Sequence, residues 1–154
     1  MSVDGDATVW QDTFPDELIP DILDVLCEVW RAFPKPSPTD EEVPINQRFC
    51  AALRQSRLRD YPLRLDPEVT LLDGDGKVAG RLDFRFTSAC VKDEAYFAVE
   101  CKRLYSRSKL RPAARCGATD YVRSGMLRYV KSCYAPQRDH GGMIGYVLSG
   151  SAAR

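Results

Sequence analysis

An α/β fold, with a mixed central sheet flanked by helices, is predicted by three features of this 154-residue chain. Two stretches of helical apolar spacing come first, three extended stretches follow, and a further helical stretch leads into a last apolar strand. Turn signals join the first three strands, which suits antiparallel neighbours, whereas the last connection carries a helix and suits a crossover.

Residues 1 to 14 read as a polar lead-in. From Pro15 to Phe33, apolar residues at Leu18, Ile19, Ile22, Leu23, Val25, Leu26, Val29, Trp30 and Phe33 recur at helical spacing. Asp16, Glu17 and Asp21 near the start suit the positive end of the helix dipole. The alternating prolines of PKPSPT end that helix and form a linker. A second helix is expected from Thr39 or Pro44 to Arg57, with Ile45, Phe49, Ala52 and Leu53 as its buried stripe. Thr39 and Glu42 fit a capping box. Extending the stripe backwards also lays Glu42, or Glu41, over the face of Ile45 and Phe49, so Glu42 is carried as a candidate catalytic residue.

Residues 64 to 72 and 77 to 87 read as a hairpin closed by the DGDG turn at Asp73 to Gly76. DGDG matches half of a calcium loop, but the later ligand positions are absent. In GRLDFRF, a period of two puts Leu82, Phe84 and Phe86 on one face, and Arg81, Asp83 and Arg85 on the other. In AYFAVECKRL the same rule puts Ala98, Glu100 and Lys102 opposite Phe97, Val99 and Cys101. If the two strands pair, Asp83, Glu100 and Lys102 converge at a strand end. Glu68, on the polar face of the first strand, reads as an exposed strand charge, with a further carboxylate approaching a metal ion at those acids as the alternative. A basic loop, a helix from Thr119 to Tyr134 and the strand MIGYVLSG complete the chain.

A composition of 44% hydrophobic residues fits a single domain, residues 1–154, with 1–37 as a helical extension and linker and 38–150 as the core. No apolar run approaches the ~20 residues of a membrane span, and the start lacks the basic and apolar stretches of a secretory signal. A cytoplasmic protein with no membrane partner is therefore expected, its six cysteines reduced. The 22 basic and 22 acidic residues cancel, but unevenly: residues 1 to 42 hold eleven acids, and residues 102 to 138 hold ten Lys or Arg. One electropositive face follows. His140, the only histidine, lies in a loop beside Gly141, and no Gly-x-Ser-x-Gly elbow accompanies it.

Gly80, Arg81, Leu82 and Asp83 of GRLD, followed by Glu100, Cys101 and Lys102 of ECK, resemble the PD-(D/E)XK superfamily, with Leu82 in place of the proline of that name. The resemblance spans residues 38 to 150. It implies a restriction-endonuclease-like αβββαβ core with an extra N-terminal helix, and a metal-dependent nuclease. It further implies Mg2+, or Mn2+ as substitute, held by Asp83, Glu100 and the backbone carbonyl of Cys101, with Lys102 positioning the attacking water. Phosphate contacts are expected from Arg103, Arg107, Arg111, Arg123, Arg128 and Lys131, where the basic excess lies. DNA is the expected substrate, although the residues do not separate it from RNA. Any specificity must come from loops, a homodimer or a partner subunit. The alternative is a catalytically inactive nucleic-acid-binding or scaffolding module of the same fold.

Overall fold

The computed structural model describes residues 14–88, 95–105, 121–127 and 140–149. Helix α1 (Leu18–Ala32) buries Ile22, Val25 and Leu26, the centre of the apolar stripe, and stops where Phe33 turns extended ahead of Pro34. Helix α2 (Glu42–Gln55) buries Ile45, Asn46, Phe49, Cys50 and Leu53. Pro44 falls within its first turn, where a missing N–H costs nothing.

The expected capping box does not form. Glu41 is the N-cap and makes no side-chain cap bond. The preceding loop closes on itself instead, with Ser37 N donating to Asp40 Oδ2 at 3.1 Å and Arg48 to the same oxygen at 2.7 Å. Glu42 is thereby released for another partner.

Strands β1 (Leu63–Leu72), β2 (Val78–Ser88), β3 (Tyr96–Tyr105) and β4 (Gly141–Ser149) form one sheet in the order β1-β2-β3-β4. The first two pairings are antiparallel and β3 pairs with β4 in parallel, so the sheet is mixed, as the connections predict. In the β1–β2 turn, Asp73 Oδ1 accepts from Asp75 N and Lys77 N, and Gly76 supplies the positive φ of 75°. This is a hairpin turn, not a calcium loop.

The strand β4 begins at Gly141, two residues before the MIGYVLSG expected. Gly142 is inside it because a Cβ there would lie 3.0 Å from Val99 Cγ2 and 3.1 Å from a Phe97 ring atom. Of the helix expected from Thr119 to Tyr134, the described part is a π-helical turn, Tyr121–Met126. Leu127 follows it in helical conformation, and residues 119, 120 and 128 to 134 lie outside the described residues.

Both helices pack on one sheet face. The core joins Ile22, Val25 and Leu26 to Phe49, Leu53, Phe84, Phe86, Phe97, Val99 and Tyr146, so α1 shares the core of the 38–150 segment. Trp30 stacks on Tyr146 at 5.0 Å and meets Phe49 edge-on at 5.4 Å.

Leu82 departs from expectation: it is fully buried, but with Ala98, Val69 and Leu71 in a separate small cluster. The exchange falls at Asp83, opposite Glu68, whose φ of 54° is the one positive value of a non-glycine among the described residues. Val69, the cross-strand neighbour of Leu82, belongs to the same small cluster, so β1 and β2 change partners together on the two sides of the Glu68 and Asp83 positions. No helix among the described residues is long and apolar enough to cross a membrane.

Candidate functional site

The acidic residues meet where the ladders of the sheet change. The β2–β3 ladder runs from Thr87↔Tyr96 to Phe84↔Val99, so continuing it sets Asp83 opposite Glu100. There a side chain takes over from the backbone: Asp83 Oδ2 accepts from Cys101 N at 2.6 Å.

On β3, Phe97, Val99 and Cys101 belong to the core under the helices, and Glu100 and Lys102 alternate with them, the Lys102 ammonium still reaching the start of α2. Lys102 Nζ lies 2.8 Å from Glu100 Oε1, 3.9 Å from Asp83 Oδ2 and 2.7 Å from the Cys101 carbonyl. The three predicted residues therefore converge.

Glu42 joins them from α2. It stands four residues before Asn46 and seven before Phe49, at the head of the buried stripe, and so points toward the sheet. Its Oε1 accepts from Lys102 Nζ and its Oε2 from Arg103 N, both at 3.2 Å.

Crowding of like charge sets the electrostatics. Burial and the neighbouring Glu100 push the Asp83 carboxyl up to about 7, against the opposing pull of Cys101 N and Lys102. For Lys102, burial works against the charged form, but the hydrogen bond and charge of Glu100, with Asp83 and Glu42 behind them, hold its pKa above the usual lysine value.

Cys101 contributes no thiol to this cluster. Its side chain is buried on the opposite face, where burial raises its pKa and its Sγ lies 3.3 Å from the Tyr146 hydroxyl oxygen. Its carbonyl oxygen, the expected metal ligand, accepts from Lys102 instead. Among the described residues no group of three or more His, Cys, Asp or Glu side chains is arranged to hold a metal ion as it stands. The Lys102 ammonium lies among the acids. The donors are nevertheless all hard oxygens, three carboxylates and a carbonyl, the set a divalent cation of the Mg2+ type prefers.

Of the predicted phosphate contacts, Arg103 is half-buried and donates from Nη1 to the Asp40 carbonyl at 2.8 Å, which makes it a brace between β3 and the loop before α2. Arg123 is exposed on the π-helical turn. Arg107, Arg111, Arg128 and Lys131 lie outside the described residues. His140 pairs with Asp16 at 3.4 Å, on the surface.

Three residues of the site were passed over in the sequence or set aside. Glu68 is not an exposed strand charge: its side chain is 13% exposed and accepts from Asn46 Nδ2 at 3.2 Å. Asn46, fully buried, in turn accepts from the Tyr146 hydroxyl at 2.9 Å. The available signal was Asn46 itself, an amide in an apolar stripe one turn beyond Glu42. Comparison with family models, with curated proteins and with solved structures gives no match for this chain.

Proposed function

We propose that the chain is a metal-dependent nuclease of the restriction-endonuclease-like kind, hydrolysing phosphodiester bonds of nucleic acid, with DNA the expected substrate. One observation carries the reading: Asp83, Glu100 and Lys102, from two neighbouring strands, meet within 3.9 Å around one point, with Glu42 as a third carboxylate. Glu42, Asp83 and Glu100, with the Cys101 carbonyl, are the oxygens that would hold Mg2+ or Mn2+. Such an ion supplies Lewis acidity and a bound water of lowered pKa.

The remaining work falls to the chain. Asp83 and Glu100, 14% and 3% exposed, concentrate negative charge in a largely dry setting, which draws a cation and discourages an empty, fully ionised state. Lys102, once drawn away from Glu100, offers an ammonium to charge developing on a phosphate. The exposed Arg123 offers a guanidinium to the nucleic-acid backbone.

The test is incubation with plasmid and single-stranded DNA, with Mg2+, Mn2+ or chelator, for the unaltered chain and for Asp83→Ala and Lys102→Ala. Metal-dependent cutting lost in both variants supports the nuclease. A binding or scaffolding module is the competing reading, favoured by the Lys102 ammonium lying among its own acids. Nucleic-acid binding without cutting, unchanged in both variants, selects it.

A further inference from the structure

Glu68 keeps a backbone conformation that costs a non-glycine residue about 1–2 kcal/mol, in the middle of a ten-residue strand. Its position is not arbitrary. The β1–β2 ladder pairs Pro67↔Phe84 and Val69↔Leu82, so Glu68 falls opposite Asp83, in the row that continues to Glu100.

The carboxylate so placed is held from two sides. Oε1 accepts from the fully buried Asn46, which Tyr146 fixes in turn. Oε2 meets Nε of Arg81 at 3.3 Å. Arg81 lies two residues before Asp83, roughly 7 Å along the strand. Its side chain is 62% exposed, and among the described residues its Nη edge meets no other acid. An arginine engaged through Nε keeps both Nη groups in a plane, a fork that matches two phosphate oxygens. Arg85, on the other side of Asp83, differs: it is largely buried and tied to Asp66 at 2.9 Å.

We propose that Arg81, held in place by Glu68, binds a backbone phosphate of the nucleic acid beside the acidic cluster, with Glu68 as a positioning residue. The ligand class rests on the nuclease reading, and the experiment keeps the two apart. Binding of a short labelled single-stranded oligodeoxynucleotide and of its duplex is measured by anisotropy in chelator, across a salt series, so that no cleavage intervenes.

Arg81→Ala should weaken binding about tenfold and lower the salt slope by about one. Arg81→Lys should restore the slope but only part of the affinity, since an ammonium lacks the fork. Glu68→Gln is the decisive variant. Removing a negative charge near the ligand should tighten binding if Glu68 acts only through its charge, whereas loss of positioning weakens it several-fold.

The proposal is overturned by Arg81→Ala binding with unaltered affinity and slope, by Glu68→Gln binding more tightly, or by an unaltered chain that binds neither probe. Cleavage is assayed separately with Mg2+. A chain that cuts nothing yet shows the expected binding pattern keeps the phosphate contact and loses the nuclease reading. A chain that cuts, with Arg81→Ala binding and cutting equally well, loses this proposal alone.

Discussion

Lys102 Nζ lies 2.8 Å from Oε1 of Glu100, a carboxylate whose side chain is only 3% exposed. A charge that deeply placed requires a counter-charge, and on this chain the ammonium two residues along β3 provides it. Lys102→Met should therefore destabilise the protein by about 3 kcal/mol in chelator, the usual cost of leaving one member of a buried pair alone. The same variant removes the positive charge that competes with a divalent cation. Thermal melts should then show a larger rise in Tm on adding Mg2+ or Mn2+ than the unaltered protein shows, while cleavage is lost. Equal or smaller protection by the metal would count against the acids as its site.

Asp83 titrates near 7 because burial and Glu100 disfavour its ionised form. A carboxyl raised above its unfolded value, ordinarily about 3.9, favours the folded state most when protonated in both states. That contribution is complete below about pH 4 and is lost as pH rises through about 7. Denaturation in chelator at pH 5, 6, 7 and 8 should show Asp83→Asn gaining on the unaltered chain as pH rises. Asparagine can still accept from Cys101 N, so the geometry is kept. Metal protection, which needs the ionised carboxylate, should strengthen over the same range and be absent in the variant.

How far the site could be read in advance follows from the range of each interaction. Asp83, Glu100 and Lys102 were legible because strand alternation is local and two turn signals set which strands adjoin. Glu42 was legible as an extension of the α2 stripe, although the neighbouring Thr39 offered it a local alternative. Asn46 and Tyr146 were not, since their hydrogen bond joins positions 100 apart and nothing near either residue announces it. The face exchange at Leu82 was also hidden. It falls beside Glu68, whose left-handed backbone no glycine marks in the sequence. The parity rule fails there, and it fails beside the residues that carry the proposed chemistry.

Glu42 ties α2 to β3 through two oxygens that do different work. Oε2 accepts a backbone N–H from Arg103, a bond a glutamine can reproduce. Oε1 faces the Lys102 ammonium, where charge matters. Glu42→Gln should thus change stability by only about 1 kcal/mol, since Lys102 keeps Glu100 as its closer partner. Its metal-dependent cleavage should fall by about 10–100-fold, the range for a weakened metal environment. Glu42→Ala should lose both. Urea denaturation and a Mg2+ titration of the cleavage rate separate the two effects, and unchanged metal dependence in Glu42→Gln would remove Glu42 from the site.

Tyr146 donates to Asn46 Oδ1 at 2.9 Å in a fully buried setting, with Trp30 stacked on its ring. Tyr146→Phe keeps the ring and removes the donor, leaving the Asn46 oxygen dry and unpaired, at a cost of about 1–3 kcal/mol. Asn46→Ala leaves the Tyr146 hydroxyl with only the weaker Cys101 sulfur contact, 3.3 Å away, and frees Glu68. Because the two residues serve one bond, the double variant should cost less than the sum of the singles, by about 1 kcal/mol or more, in urea denaturation. Additive losses would mean that the two groups act independently. The cycle also reaches the site, since Asn46 is one of the two groups that hold Glu68. Asn46→Ala should weaken oligonucleotide binding in chelator together with Glu68→Gln, whereas Tyr146→Phe, which leaves the Asn46 amide donor intact, should weaken it less.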